Sequence, residues 1–349
     1  MLKVNKISLK ILDKQKELGN SRIEVKISGP NIDYTIANTI RRTIFSEIPI
    51  YAFNEFKFDK NTSVFHNNYL KLRLRSLPIW TIENTVEFID YNIKNTNNIN
   101  TELDENLEIT NNDGNGDEVE LEIEKTLNSS TLKQLTMYIN YKNKSNNIVT
   151  VSTSDAKFYY EEKQIESPYK VAIPIVKLQP SQEIAFSAIT KIGTEQEDAM
   201  YGAVCICTYK QINDNEFNFI IESRGQIDEK RVLQVALINI ERRIKNFLKL
   251  LLDEKNVSNK IKTEESNNQG IIIINNEDHT LGNLISRGLQ QHENITFAGY
   301  NLPHPLAKKV HFHYKHDKNS NIKNIVEDVV NYYSDIFSQI KKLVDGLSY

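Results

Sequence analysis

Two short groups of side chains have types and spacings suited to metal or redox chemistry. Cys205 and Cys207 stand two positions apart, a spacing that on a strand allows no relaxed disulfide and falls short of the four ligands of a zinc site. His311 and His313 would share one face of a strand, with His316 beyond them, and two imidazoles alone bind a metal ion weakly. We interpret the cysteines as free thiols in a reducing compartment and the histidines as a solvated strand face.

A third group nearly fits a calcium-binding loop. Asn111, Asp113 and Asn115 alternate along the chain, and Glu122 stands at the twelfth place of the segment. The first ligand is Asn rather than Asp, and the flanks alternate as strands do, whereas helices flank such a loop. We therefore interpret 111–122 as an acidic hairpin tip. A calcium-responsive interaction protein is the alternative hypothesis.

The rest of the sequence contains no constellation typical of an enzyme. It has no Gly-rich phosphate loop, no nucleophile–base pair and no acidic metal triad. The 349 residues carry 43 Lys plus Arg against 46 Asp plus Glu, a formal net charge of -3, which disfavours a protein whose main task is to grip nucleic acid. No apolar run is long enough for a membrane span, and the N-terminus lacks a signal-peptide core. We expect an intracellular, non-catalytic protein without cofactor or metal.

The elements that must position the remaining polar side chains follow from apolar periodicity and from caps and breakers. The predicted order is a strand at 22–28, a helix from Asn31 or Asp33 to about Glu47, a strand at 50–59, a short helix and turn within 62–79, a β-rich stretch at 81–214, a strand at 217–223, a long helix at 228–252, a polar linker at 253–270, a buried strand at 271–274, a helix from Asp278 or Thr280 to about Gln291, strands at 296–300 and 310–314, and a last helix over 322–345.

An internal pseudo-repeat relates the two halves of the chain. The segment 34–42 returns at 279–287, with Thr35 matching Thr280, Asn38 matching Asn283, Ile40 matching Ile285 and Arg42 matching Arg287. Each copy follows a strand and precedes another, at 50–59 and 296–300, and each half ends in a long helix with one apolar face. Such helices have more apolar surface than one small sheet covers. We therefore predict an α+β architecture of two dimerization modules packed helix to helix as a pseudo-twofold dimer, with a mostly β insertion.

The predicted boundaries and interface follow from this repeat. The first module comprises 1–80 and 215–252, the insertion 81–214, the linker 253–270 and the second module 271–349. Asn disfavours a helix interior, so its repetition indicates a packed contact. The side chains that we expect at the interface between the modules are Ile36, Asn38, Ile40, Ile44, Ile240, Ile244, Leu281, Asn283, Leu284, Val329, Tyr333 and Ile336.

Several motifs are similar to those of one family. They are Ile36–Arg42 with Ser46–Pro49, Asn61–Val64, Arg73 with Leu77–Ile79, Pro174–Leu178 with Gln182–Ile184, Glu222–Gly225, Glu277–Leu284, Phe297–Tyr300 and Pro303–Leu306. The family is that of the α-like assembly subunits of cellular RNA polymerases. The first half resembles the larger partner of the archaeal and eukaryotic heterodimer, and the second half resembles the smaller partner. Both partners are related to the N-terminal domain of the bacterial α subunit.

The resemblance implies a non-catalytic platform on which the second-largest polymerase subunit docks first and the largest follows. It assigns the contact with the second-largest subunit to Arg41, Arg42, Asn61, Thr62, Ser63, Arg73 and Pro78, and it gives His66, His279 and His304 structural roles. A small polymerase subunit is a further expected partner, and DNA is contacted only through the complex. Without the resemblance, Arg41 and Arg42 would be a solvated helix face.

Two departures from the family pattern bear on these expectations. Arg75 stands where the family usually has a glycine, so that turn is expected to be rebuilt. The cysteines of the metal or iron–sulfur site found on some larger partners are missing, so we predict no metal. Fusion of both partners in one Asn-rich chain resembles the fusions that occur in large DNA viruses. A viral source implies that the protein is located in the virion and the host cytoplasm, and a cellular source implies the nucleus. The rival function is a free-standing transcription-associated interaction protein, for which a basic surface would be needed.

Overall fold

The computed structural model describes residues 2–17, 20–80, 134–161, 163–253, 260–304, 307–318 and 320–347. The segment 111–122, with its calcium-loop alternative, lies outside them. The chain divides into two compact units. Unit one comprises Met1–Ile48, Val204–Ser223 and Asp228–Tyr349, and unit two comprises Pro49–Ala203 and Arg224–Ile227.

Within the described residues the chain forms strands and five α-helices, labelled here in chain order. The strands are β1 (Ser8–Glu17), β2 (Asn20–Ser28), β3 (Ile50–Asn61), β4 (Leu135–Lys142), β5 (Val149–Ser152), β6 (Lys157–Tyr160), β7 (Lys163–Ile165), β8 (Pro174–Leu178), β9 (Glu183–Gly193), β10 (Val204–Asn213), β11 (Glu216–Ser223), β12 (Ile261–Ser266), β13 (Gln269–Asn275), β14 (Ile295–Asn301) and β15 (Lys309–His316). The helices are α1 (Tyr34–Ser46), α2 (Asn67–Arg75), α3 (Glu229–Leu252), α4 (His279–Gln291) and α5 (Ile322–Asp345).

Unit one contains two four-stranded antiparallel sheets of the same topology. The first has the order β1-β2-β11-β10, and the second has the order β12-β13-β15-β14. In the first sheet α1 follows β2 and α3 follows β11, and in the second α4 follows β13 and α5 follows β15. The predicted α+β fold of two related modules is therefore confirmed. Both modules lie in the same compact unit.

The strand equivalent to β14 is β10, which corrects one step of the sequence argument. We had matched 50–59 with 296–300 because each follows its copy of the repeat. The strand at 50–59 is β3, which pairs with β9 in unit two, whereas β10 pairs with β11 in the first module. Unit two is inserted between α1 and β10, so the strand next in sequence is not the strand next in the sheet.

Unit two is built on a five-stranded antiparallel sheet of order β3-β9-β4-β6-β7 and a two-stranded sheet of β5 and β8. Its core includes the buried aromatic side chains of Phe53, Phe158 and Phe186. The unit begins at Pro49 and ends its main segment at Ala203. It therefore takes in β3 and α2, which we had placed in the first module, and it leaves out β10, which we had placed in the insertion.

Part of the segment predicted as a linker is a strand. Within 253–270, β12 pairs along its length with β13. Only Ile261 of β12 is buried, because β12 is the edge of its sheet and its other side chains face solvent. Asn267 and Asn268 make the turn to β13, and both have a positive φ, of 52° and 62°. Two successive left-handed residues are the requirement of a type I′ hairpin turn, and Asn tolerates that conformation.

Candidate assembly interface

The two long helices of unit one join the modules in an antiparallel arrangement. At one end, the Lys230 Nζ donates to the carbonyl oxygens of Asp345 and Leu347, at 3.0 and 2.7 Å. Further along, the hydroxyl of Ser338 donates to a carboxylate oxygen of Glu241. The start of α3 therefore lies at the end of α5. Both helices carry the wide apolar stripe that the sequence shows, and an isolated helix would not keep such a stripe in water.

The apolar side chains expected at this interface are buried in unit one. They are Ile36, Ile40, Ile44, Ile240, Ile244, Leu281, Leu284, Val329, Tyr333 and Ile336. The two repeated asparagines, Asn38 and Asn283, are half-buried, and the Oδ1 of Asn38 accepts a bond of 3.3 Å from the Nε of Arg41. Asn38 thus orients the side chain of Arg41 on the same helix.

Reciprocal arginine contacts relate the first helices of the two modules. Asp33 and Asp278 each accept bonds from backbone N–H groups at the start of a helix, α1 and α4 respectively. The Nη2 of Arg42 lies 3.3 Å from the Oδ2 of Asp278, and its Nε donates to the Oγ1 of Thr280 at 2.8 Å. The Nε of Arg287 lies 3.4 Å from the Oδ2 of Asp33. Each helix therefore sends its arginine to the cap of the other, which is the contact pattern of a twofold interface.

The arginine of this pair in the first module is thus engaged within the chain. We had assigned Arg42 to a contact with another polymerase subunit. The Arg42 side chain is 43% exposed, but its guanidinium is directed to the second module. The signal for this role was present in the sequence, because Arg42 and Arg287 are equivalent in the repeat and each stands nine positions after its capping Asp.

A buried charge cluster surrounds Arg243 of α3. Its Nη1 lies 2.6 Å from the Oε1 of Glu47, at the end of α1. Its Nη2 lies 2.6 Å from the Oε2 of Glu277 and 2.7 Å from the Oδ1 of Asp278, both of which precede α4. The Arg243 side chain is 15% exposed. One guanidinium therefore bridges carboxylates of both modules, a role that the flat fork of Arg suits and that Lys would not fill.

Arg243 is absent from the predicted interface because the prediction on α3 rests on its apolar side chains. Arg243 directly precedes Ile244, one of the predicted interface residues. An arginine at the margin of an apolar stripe normally extends its charged end into water. No pattern in the sequence shows that Glu47 and Glu277, which lie 230 positions apart, meet the same side chain.

The charges in this cluster hold one another in place. Burial raises the pKa of Glu47 and of Glu277, and Arg243 opposes that rise. Burial acts to lower the pKa of Arg243, but the carboxylates raise it well above its ordinary value. Burial also acts against ionisation of Asp278, yet Arg243 and the backbone N–H of Thr280 lower its pKa to about 2. Arg243 and Asp278 are therefore charged at neutral pH.

The two cysteines of β10 are both free, as predicted. Cys205 is exposed and Cys207 is buried. Burial raises the pKa of the Cys207 thiol to about 12, against the opposing charge of Arg41. The Cys207 thiol is therefore protonated at neutral pH and is a packing group rather than a nucleophile.

In unit two, the three polar residues of the proposed contact shape a loop. The Asn61 Oδ1 accepts from the backbone N–H and the hydroxyl of Ser63, at 3.1 and 2.7 Å, and its Nδ2 donates to the carbonyl of Phe65 at 2.9 Å. Thr62 exchanges bonds with the backbone of Glu183, at 3.0 and 2.7 Å. These side chains fix the loop that follows β3. Val64 and Phe65 of this loop are exposed to solvent.

An exposed apolar groove lies beside that loop, with a volume of about 410 Å³. Val64 and Ile148 line it and are 70% and 64% exposed. Arg73, which also lines it, donates from Nη2 to the carbonyl of Pro174 at 3.0 Å. Lys177 adds a second cationic side chain. Apolar surface with a charged rim is typical of a protein-binding site.

The turn at Arg75 and two of the histidines, His66 and His316, each have defined contacts. Arg75 ends α2, and its guanidinium contacts Asn54 at 3.1 Å and Asp198 at 3.5 Å. The next residue is right-handed, so this turn needs no glycine. His66 caps α2, which agrees with its structural role. His316 does not belong to the solvated face, because it is buried and bonds to Glu265 at 3.0 Å.

The described residues form no group of three or more His, Cys, Asp or Glu side chains arranged to hold a metal ion. Among the same residues, none of the helices combines the length and the apolar character that crossing a bilayer requires.

Comparison with known proteins places both modules in one group. A family model of the RNA polymerase Rpb3/Rpb11 dimerisation domain matches residues 27–244, and a second model of the same description matches residues 269–343. The two matches cover the two halves that the repeat relates. The chain thus resembles this dimerisation domain twice over.

Relatives resemble either the whole chain or one of its halves. A protein of Acanthamoeba polyphaga mimivirus that carries the name of DNA-directed RNA polymerase subunit R470 is 25% identical over 97% of this chain and 94% of its own length. The DNA-directed RNA polymerases I and III subunit rpac1 of Dictyostelium discoideum is 28% identical over 63% of this chain and 64% of its own. The DNA-directed RNA polymerase II subunit rpb11 of the same organism is 35% identical over 21% of this chain and 62% of its own.

Proposed function

Because the chain belongs to the Rpb3/Rpb11 dimerisation-domain family of RNA polymerase subunits, we propose that it is the non-catalytic assembly platform of a DNA-directed RNA polymerase. On this platform the second-largest subunit docks first and the largest subunit follows. Both modules are present in one polypeptide, which replaces the association of two separate subunits.

The observation that carries the proposal is that both modules belong to one compact unit, joined by α3 with α5 and by the reciprocal arginines. In a single chain the second module is present at an effective concentration of about millimolar beside the first. The dimer is therefore complete before any large subunit arrives. A surface that spans both modules is then available as one template.

Docking of the second-largest subunit is assigned to two separate contacts. One is the apolar groove of unit two with Arg73 on its margin, and the other is Arg41 on α1 of unit one. Val64 and Ile148 are mostly exposed, which is unusual for neighbouring large apolar side chains unless a partner covers them. The loop of Asn61, Thr62 and Ser63 fixes the position of Val64, and the polar atoms of these three side chains do not contribute to the docking contact. Pro78 stays in the proposed surface as a rigid boundary of the same segment.

The partners expected beside the second-largest subunit are the largest subunit and a small polymerase subunit. DNA is expected to be contacted only through the complex, because the chain carries 43 basic against 46 acidic residues. The mimivirus relative that aligns with almost the whole chain favours a viral source, with virion and host cytoplasm as the sites of action.

Affinity purification of the tagged chain from its source, followed by mass spectrometry of stoichiometric partners, tests the proposal. The variants are Val64→Glu/Ile148→Glu for the groove and Arg41→Glu for α1. A matched control is Phe297→Glu, an exposed apolar side chain of β14 in unit one. We expect the wild type and the control to bring down both large subunits. The groove variant and Arg41→Glu should lose the second-largest subunit and, because the largest docks after it, the largest subunit as well.

Two other outcomes have distinct meanings. Retention of both large subunits by the folded groove variant would leave the platform in place and remove the groove from it. Absence of both large subunits from the wild-type purification would refute the platform function. The free-standing transcription-associated interaction protein would then be the better hypothesis.

A further inference from the structure

The Arg243 cluster is one-sided, although it lies in a pseudo-twofold arrangement. Helices α3 and α5 both have 24 residues, and each begins six positions after the end of the preceding strand. Counting along both helices makes Ile336 the counterpart of Arg243. Counting back from the two capping Asp residues makes Ile32 the counterpart of Glu277. Both isoleucines are buried. The same interface therefore has an ion pair at one position and two isoleucines at the symmetry-related position.

The third member of the cluster is also without an equivalent. Glu47 stands fourteen positions after Asp33, and His292 stands fourteen positions after Asp278. His292 is buried, and its Nε2 lies 3.4 Å from the Oδ2 of Asp328 in α5. This side chain is thus committed within the second module. No second cluster is built from the counterparts of Arg243, Glu47 and Glu277, all of which are described in the structure.

From this asymmetry we propose that Arg243, with Glu277 and Glu47, is the determinant that makes each module select the unlike module. Pairing of two first modules from two copies of the chain would bring Arg243 opposite Ile32. Pairing of two second modules would bring Glu277 opposite Ile336. In the first arrangement Arg243 keeps Glu47 of its own module but loses Glu277. In the second, Glu277 is buried beside an apolar side chain without a cation, whereas the unlike pair satisfies both charges.

The reciprocal arginine contacts do not discriminate in this way. Arg42 and Arg287 are equivalent, and so are their acceptors Asp33 and Asp278. Any pairing of the modules, like or unlike, would therefore keep an arginine opposite a capping Asp. Specificity depends on the difference between the right and the wrong pairing, and the buried ion pair of Arg243 with Glu277 changes between them.

The test uses the complete chain with a protease site placed between Asp253 and Lys260 and cut after folding. The cut protein is exchanged to equilibrium, and native mass spectrometry counts unlike and like pairs of the two fragments. In the wild type we expect like pairs to be about 100-fold rarer than unlike pairs, since exchange into like pairs separates Arg243 from Glu277 and leaves that carboxylate buried without its cation. A wild type with like pairs in comparable amount would overturn the proposal.

An apolar variant removes the selectivity without removing the interface. It is Arg243→Ile/Glu277→Ile/Glu47→Gln, which gives both sides of the interface the isoleucine pair. Replacing buried ion pairs by apolar side chains often leaves a protein as stable as before. We expect like pairs to rise by at least about ten-fold, with a thermal midpoint close to that of the wild type. A folded variant that still forms only unlike pairs would sink the idea.

A charge-reversed variant keeps the proposal testable if the apolar variant does not fold. Arg243→Glu/Glu277→Arg retains one arginine among three carboxylates, so its own halves should pair. When cut wild type is mixed with it, the variant first module, which carries a carboxylate at position 243, would meet Glu277 of the wild-type second module. Four carboxylates would then share the cluster without an arginine, so that mixed pair should be missing. Free exchange between the two proteins would contradict the proposal. The control Arg42→Met/Arg287→Met should weaken all pairs while leaving their ratio unchanged.

Discussion

Removal of Arg243 is the most direct test of the energetics of the interface. In the variant Arg243→Met, the stem of the side chain keeps its packing, but Glu47 and Glu277 lose their cation. Both carboxylates are 11% exposed, so water does not replace the guanidinium. Asp278 is affected less because Arg42 and the Thr280 backbone remain beside it.

The size of the effect follows from the burial of these charges. Removing one partner of a buried pair destabilises a protein by about 3–5 kcal/mol, since the remaining charge is left without compensation. For a domain of about 150–250 residues, 1 kcal/mol lowers the melting temperature by about 2–4 °C. We therefore expect the melting temperature of unit one to fall by about 6–20 °C. Lys245→Met on the same helix, whose side chain is 61% exposed and whose pair with Glu241 is long at 3.8 Å, should change stability by less than about 1 kcal/mol.

Differential scanning calorimetry at several pH values separates this explanation from a loss of packing. The burial that raises the pKa of Glu47 and Glu277 in the folded state persists in the variant, while the opposing charge is gone. A group with a raised folded-state pKa favours folding below that pKa and disfavours it above. The deficit of Arg243→Met should therefore shrink as the pH falls from about 7 towards about 5. A deficit that is the same at both pH values, or no larger than that of Lys245→Met, would refute the reasoning.

Three further predictions follow from other contacts. The pKa of Asp278 is lowered from 3.8 to about 2, so its ionised form adds stability that is lost as the pH falls through this window. Asp278→Asn keeps the helix cap but removes this charge, so the melting temperature of the variant should fall less steeply at acid pH than that of the wild type. An unchanged acid limb would contradict this. A Cβ added at Gly288 would lie 2.7 Å from the Cε2 of Tyr333 and closer still to Val329, so Gly288→Ala should lower the unfolding free energy in urea by about 1–3 kcal/mol, whereas Gly346→Ala, with 3.5 Å to its nearest neighbour, should not. Alkylation at about pH 8 followed by mass spectrometry should label Cys205 and spare Cys207, whose pKa is raised to about 12, until the protein is unfolded; equal labelling of both would show that Cys207 is accessible.

Most of the secondary structure was predictable because local patterns determine it. The capping residues Asp33 and Asp278, the 24-residue α5 and the strand at 217–223 agree with the sequence to within one or two positions. Long amphipathic helices and capped starts carry strong signals. Edge strands do not, which is why β1 and β12 were missed. Most of their side chains face solvent, so these strands lack the alternation that marks a half-buried strand.

Long-range pairing accounts for the remaining errors. Nothing local in 50–59 distinguishes a strand that joins the sheet of unit two from one that joins the sheet of the first module. The same limit hid Arg243, because its acceptors come from the end of α1 and the start of α4. The internal repeat indicates a long-range contact only at positions where the two copies carry the same residue. The equivalence of Arg42 and Arg287 contains the reciprocal contact, although we first assigned Arg42 to another partner.

Fusion of two related modules into one chain changes what the interface must achieve. Two separate subunits must find each other and reject their own kind, whereas in one chain the connection already favours the right pairing by effective concentration. The connection does not prevent pairing between different copies of the chain when the chain is locally concentrated, as during synthesis of many copies at one site. A symmetric contact such as Arg42 with Asp278 stabilises every pairing alike. An asymmetric contact, in which Arg243 meets Glu277 and their counterparts are isoleucines, is needed to reject the like pairing. It provides this selectivity while adding little to the net stability of the correct pair, because the attraction within a buried ion pair roughly offsets the cost of its desolvation.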